Sequence, residues 1–201
     1  MTSIAMPVAR PVQWPPQMPP FAPVKQPVCA GNASQDHTLP HSQPHALPPF
    51  QRGQSIDAYL KQMQNASTGQ LIEMERQGVP HAFVAALSER MDVPLVRMQK
   101  MMRISKATAA RKRADDGSLI GGAAGATATA IVKLMGMAQR IVDQSTAPQA
   151  SGFDVQKWFG AWLELPQPAL DGQAPAELLD TPSGVEAVAR VLGALESGSY
   201  Q

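Results

Sequence analysis

The sequence predicts an all-α protein, and three observations carry the prediction. From Ser55 onward, apolar residues recur at helical intervals of three and four. Helix-starting residues (Ser, Thr, Asp and Pro) stand just ahead of those runs. No convincing run of alternating β-branched residues appears, so no strand is expected.

The amino-terminal stretch stands apart. Residues 1–50 hold twelve of the nineteen prolines. Proline fixes φ and lacks an N–H, so such a stretch sustains neither helix nor sheet. A disordered or polyproline-like arm is expected over 1–54. Trp14 and Phe21 within it fit either a short recognition motif or a solvated leader. His37, His41 and His45 recur every fourth residue, but Pro40 and Pro44 deny them a helix, so no metal site is expected. The single cysteine, Cys29, cannot close an internal disulfide, which suits a reducing compartment. There is no signal-peptide core, and no apolar run approaches the ~18 residues needed to cross a bilayer. A cytoplasmic protein without membrane contact is expected.

The helical elements follow in order. Leu60, Met63, Leu71, Ile72 and Met74 fit one or two helices interrupted by Gly69 and Gly78. Pro80 is placed to open a helix over 80–91 with Phe83, Val84, Leu87 and Met91 on one face. Asp92-Val93-Pro94 ends it and starts another, on which Leu95, Met98 and Met102 share a face. Arg103-Ile104 makes a tight connection. Ser105 caps the next helix, with Ile104 as its hydrophobic staple and Ala107 and Ala110 small enough for close packing.

Two short helices joined this way form a helix-turn-helix, whose second helix enters the DNA major groove. Between Arg97 and Ala114 there are seven basic residues and no acidic ones. Lysine and arginine neutralise phosphates, and arginine reads guanine edges. The candidate DNA-contacting residues are Arg103, Ser105, Lys106, Thr108, Ala109, Arg111, Lys112 and Arg113. With a net charge of only +1, a homodimer on two half-sites is the expected binding form. A solvated basic face on a helical bundle is the alternative reading of the same residues.

Gly121-Gly122-Ala123-Ala124-Gly125-Ala126 resembles a phosphate loop but lacks the Lys-Ser/Thr ending and a preceding strand. It is expected to be a flexible joint before a helix over 127–143. The methionines are expected as adaptable core. A second module begins near residue 148, following a helix-turn-helix and dimerisation domain over 55–147. In the second module Phe153, Trp158, Phe159, Trp162 and Leu163 fall on one helix, ended by Pro166 and Pro168. Asp171-Gly172 turns the chain. Pro175 opens a one-turn helix to Leu179, and Asp180 or Thr181 caps a longer one with Val185, Val188, Val191 or Leu192, and Leu195 inward. Leu178, Leu179, Val188 and Leu192 are assigned to core, with some aromatics left at a surface. Charge divides with the modules. Residues 51–152 hold thirteen Lys/Arg against eight Asp/Glu, a surplus of five positive. Residues 153–201 hold two against seven, a surplus of five negative.

These carboxyl-terminal residues carry a resemblance. Trp162-Leu163, Pro166, Leu170, Gly172, Pro175, Leu178-Leu179, Thr181, Gly184, Val188, Leu192 and Gly198, in order and at fixed gaps, resemble the Xre–MbcA–ParS antitoxins, partners of RES-domain toxins. The likeness extends more weakly back to about Leu71. Residues 1–50 have no counterpart in it, and the Gly/Ala-rich stretch at 121–130 departs from it. It implies an Xre-like helix-turn-helix domain followed by a small helical toxin-binding domain over 148–201. It also implies a type II antitoxin that blocks the active site of a RES-type, NAD-consuming toxin and represses its own promoter at operator DNA. Trp158 and Trp162, with the tail Glu196-Ser197-Gly198-Ser199-Tyr200-Gln201, are the candidate toxin contacts. Tyr200 offers an apolar ring with a polar tip and Gln201 a carboxylate. An ordinary frayed terminus is the other reading of that tail. No catalytic residues and no cofactor are expected. A free-standing regulator whose carboxyl-terminal module only dimerises remains the alternative.

Overall fold

The computed structural model describes residues 46–114, 119–145, 150 and 152–196. Residues 1–45 of the arm expected over 1–54, and the tail Ser197–Gln201, lie outside the described residues. The described chain is helical apart from a two-residue ladder, so the all-α expectation holds in its main feature.

Local capping chemistry sets the first helices. Helix α1 (Ile56–Gln64) starts at Ser55, whose Oγ accepts from the Ala58 N–H at 3.4 Å. Helix α2 (Thr68–Gln77) starts with a reciprocal capping box between Ser67 and Gln70. Gly69 therefore lies inside α2, and the break falls at residues 65–67, where a capping serine outweighs a mid-helix glycine. Gly78 turns the chain with φ 93°. Val79–Pro80 (β1) then pairs antiparallel with Leu119–Ile120 (β2), Val79 opposite Ile120. Pro80 is thus the last residue before α3 (His81–Arg90), rather than its first. A ladder of two residues carries no alternation that a sequence pattern could register.

Asp92 takes a left-handed φ of 56°, and Pro94 precedes α4 (Leu95–Met101). Arg103, φ 53°, reverses the chain into α5 (Lys106–Ala114). The long helix α6 (Ala123–Gln144) follows, then α7 (Val155–Leu163) and, after two one-turn 3-10 helices at Pro168–Leu170 and Pro175–Glu177, α8 (Pro182–Glu196).

The Gly/Ala-rich stretch is not a flexible joint. It forms the first turns of α6, with Ala124, Gly125, Thr127 and Ala128 buried. A Cβ on Gly125 would stand 3.0 Å from the Glu75 carbonyl oxygen and 3.0 Å from the Gly78 Cα. The small residues therefore let α6 approach α2 closely, and burial offsets the poor helix propensity of Gly125. α6 packs against α1, α2, α7 and α8. One continuous apolar core runs through it, joining Leu60, Leu87 and Met98 to Phe159, Leu163, Val188 and Leu192. Both sides of the expected boundary at 147/148 contribute to that core.

The arm's expected end also needs correction. Residues 46–54 are not loose: Phe50 is buried, its ring 5.2 Å from Tyr59 and 5.8 Å from Phe83 in edge-to-face contacts. The Tyr59 hydroxyl donates to the Pro48 carbonyl at 3.1 Å.

Candidate nucleic-acid and partner surfaces

The basic surface is built on α5. Ser105 Oγ accepts from the Thr108 N–H at 3.1 Å and donates to Thr108 Oγ1 at 2.9 Å, so both side chains serve the helix start. Lys106, Arg111 and Arg113 are exposed and Lys112 half-buried. No ion pair holds any of the four among the described residues. Arg111, Lys112 and Arg113 sit in the last turn, where the carbonyl end of the helix dipole favours positive charge.

Two of the expected DNA contacts are placed otherwise. Ala109 is buried in the core, so it presents nothing to a ligand; Ala107 and Ala110 face outward instead. The expected packing phase of α5 is therefore turned. Arg103 is exposed but ion-paired with Asp180, a residue of the carboxyl-terminal module.

Behind α5, His81 is buried at the start of α3, its Nε2 3.5 Å from Gln99 Nε2. Burial, then the positive charges of Arg113 and Arg52, push its imidazole below the ordinary value.

A line of arginines fastens this unit to the carboxyl-terminal module. Arg90 Nε donates to Asp57 Oδ1 at 2.7 Å, and its Nη1 to Asp154 Oδ1 at 2.8 Å. Arg97 Nε lies 2.8 Å from both oxygens of Glu164, with Nη2 2.7 Å from Oε2. Burial alone would raise the Asp154 carboxyl. Hydrogen bonds from Arg90 and the Lys157 N–H outweigh it and hold the group below the usual carboxylate range. The Glu164 hydrogen bond raises Arg97 in the same way. Partly exposed pairs of this kind contribute at most about 1 kcal/mol each, so their main effect is orientation.

The carboxyl-terminal module presents an aromatic row. Asp154 caps α7 by accepting from the Lys157 N–H at 3.1 Å. Trp158 stacks on Trp162 at 5.9 Å and meets Phe153 at 6.1 Å, while Trp162 stacks on Phe159 at 5.9 Å. The two tryptophans part company here. Trp162 is 6% exposed and belongs to the core. Trp158 and Phe153 are half-buried and keep an edge in solvent. Trp162 is therefore a support for Trp158 rather than a contact surface. Thr181 caps α8, its Oγ1 accepting from the Gly184 N–H at 3.1 Å. Glu196 ends that helix, and the remaining tail candidates, Ser197, Gly198, Ser199, Tyr200 and Gln201, lie outside the described residues. The carboxylate partners of Arg90, Arg97 and Arg103 escaped the sequence reading; the only signal was the opposite charge of the two segments.

Among the described residues no helix is long and apolar enough to cross a membrane. Residues 152–198 match the family described as the antitoxin Xre/MbcA/ParS C-terminal toxin-binding domain. The chain is also 39% identical over 70 residues to the "Prs ADP-ribosylating antitoxin" of Sphingobium sp. (strain YBL2). That match takes in 35% of this chain and spans only 43% of the relative's length. No solved structure matches. The capped α7, the 3-10 turns and α8 fall within the matched span, so the likeness to the Xre/MbcA/ParS C-terminal toxin-binding domain covers this helical module.

Proposed function

We propose that the chain is the antitoxin of a type II toxin–antitoxin module. Its carboxyl-terminal module binds and neutralises a RES-type, NAD-consuming toxin, and α4 with α5 acts as a helix-turn-helix that represses its own promoter. The observation that carries the reading is the match of residues 152–198 to a toxin-binding domain, on a module with a half-exposed aromatic row. The Sphingobium relative's name points the same way, because ADP-ribosyl transfer draws on NAD.

In this account Trp158, held by Trp162 and Phe153, is a rigid anchor for the toxin surface. The tail Ser197–Gln201 follows α8 and blocks the NAD site. The acidic surplus of the module favours a basic pocket there. On α5, Lys106, Arg111, Lys112 and Arg113 neutralise phosphates, and a dimer places two α5 helices in successive major grooves about 34 Å apart. Catalysis by this chain is not part of the proposal.

Three experiments test it. Co-expression with a RES-type toxin encoded beside it should restore growth; continued arrest removes the antitoxin reading. Deleting Ser197–Gln201 should weaken inhibition more than DNA binding, and equal loss of both would count against the blocking tail. Replacing Arg111, Lys112 and Arg113 together by alanine should weaken DNA binding and flatten its salt dependence by a slope of about 2 to 3. An unchanged slope would place the DNA surface elsewhere.

A further inference from the structure

We infer that Asp180, a residue of the toxin-binding module, sets the strength of the DNA interface by competing with backbone phosphate for Arg103. The inference rests on the helix-turn-helix reading above and concerns the regulation of that same surface.

Arg103 occupies the turn between α4 and α5, two residues ahead of the capping Ser105. That turn lies at the amino-terminal end of the recognition helix, where phosphate and base contacts gather in helix-turn-helix complexes. Its side chain is 65% exposed, so it has room to swing to another oxyanion. A carboxylate and a phosphate make the same demand on a guanidinium: two oxygens facing two N–H groups. In the free chain Asp180 already takes one of those N–H groups, Arg103 Nη2 donating to its Oδ2.

The two partners differ in freedom. The Asp180 side chain is only 22% exposed, and the residues on either side of it are held by hydrogen bonds. Buried Thr127 of α6 donates to the Leu179 carbonyl at 3.3 Å. The Thr181 N–H donates to the Leu178 carbonyl at 3.3 Å, and the Thr181 side chain caps α8. Asp180 is therefore a fixed carboxylate and Arg103 the movable member. Binding phosphate through Arg103 means breaking the pair and leaving Asp180 beside the DNA backbone. Both costs weaken DNA binding, and both originate in the module that carries the toxin-binding family's residues.

The test is fluorescence anisotropy of the full chain with a labelled mixed-sequence duplex at several salt concentrations. Asp180→Asn should tighten binding by about three- to tenfold at low salt and steepen the salt slope by about 0.9, the contribution of one further neutralised phosphate. In an Arg103→Ala background, Asp180→Asn should bring no such gain. Glu186→Gln makes the same charge change at an exposed pair with Arg190 elsewhere in the module and should leave the slope unaltered. Unchanged binding by Asp180→Asn, a gain that persists without Arg103, or an equal gain from Glu186→Gln would each overturn the inference. Loss of binding in the Arg111, Lys112 and Arg113 triple alanine variant, measured alongside, shows that the DNA reading stands even if Asp180 proves inert. If wild type fails to bind the duplex, both fall together.

Discussion

Gly160 and Gly193 lie inside helices of the same module, and the structure assigns opposite signs to the same substitution at each. In an exposed helix interior, Gly→Ala gains up to about 1 kcal/mol through backbone entropy. Gly193 on α8 has nothing within 4 Å of an added Cβ, so Gly193→Ala should keep most of that gain. Gly160 on α7 faces the end of α3: a Cβ there would stand 2.1 Å from the Met91 carbonyl oxygen and 3.1 Å from the Met91 Cβ. Real contacts hardly fall below 3.0 Å, so α7 must retreat by about 0.9 Å from a backbone atom that no rotamer change can move. Overpacking of this kind costs about 1 to 3 kcal/mol, and the retreat also loosens Val155, Phe159 and Leu163 from the core. The net expectation for Gly160→Ala is a loss of about 1 to 2 kcal/mol after the propensity gain. At about 2 to 4 °C per kcal/mol for a chain this long, calorimetry should show Tm falling by roughly 2 to 8 °C for Gly160→Ala. It should rise by roughly 1 to 4 °C for Gly193→Ala. Shifts of the same sign would refute the close approach of α7 to the α3 end, and with it the single core.

Three further outcomes are expected. Trp158→Ala should weaken toxin binding by about 2 kcal/mol, near thirtyfold in Kd by calorimetric titration, with little change in Tm, whereas Trp162→Ala should cost about 3 to 5 kcal/mol of stability. Phe50→Ala should lower stability by about 3 kcal/mol because it empties the contact with Tyr59 and Phe83; an unchanged Tm would return residues 46–54 to the arm. His81 has a folded-state value below that of the unfolded chain, so the unfolded chain takes up the proton first. Its contribution to stability is whole above about pH 6.5 and is lost as pH falls through the lowered value, and His81→Gln should flatten the fall in Tm on the acid side of pH 6.5.

Elements announced by local chemistry were legible. Ser55, Pro175 and Thr181 each begin the element expected of them, because a cap or a fixed φ acts within one turn of chain. Asp171-Gly172 turns as read, both residues taking positive φ. Readings that depended on distant neighbours failed. The glycines at 121–125 look flexible alone, yet Gly125 is where α2 comes within contact of α6. In α5, alanines at 107, 109 and 110 give no apolar period, so nothing local fixes that Ala109 turns inward. The carboxyl-terminal partners of Arg90, Arg97 and Arg103 lie 64, 67 and 77 residues further along, beyond any motif spacing. For the same reason a charge division that suggests two separate jobs also fastens the two segments together.

In the proposed function the carboxyl-terminal module silences a toxin. NAD turnover by a RES-type toxin offered as the proposed partner, followed with and without an equimolar amount of the purified full chain, is the deciding measurement. NAD loss should stop at stoichiometric addition and resume partly with the Trp158→Ala variant. Undiminished NAD loss in the presence of folded wild-type chain would contradict it.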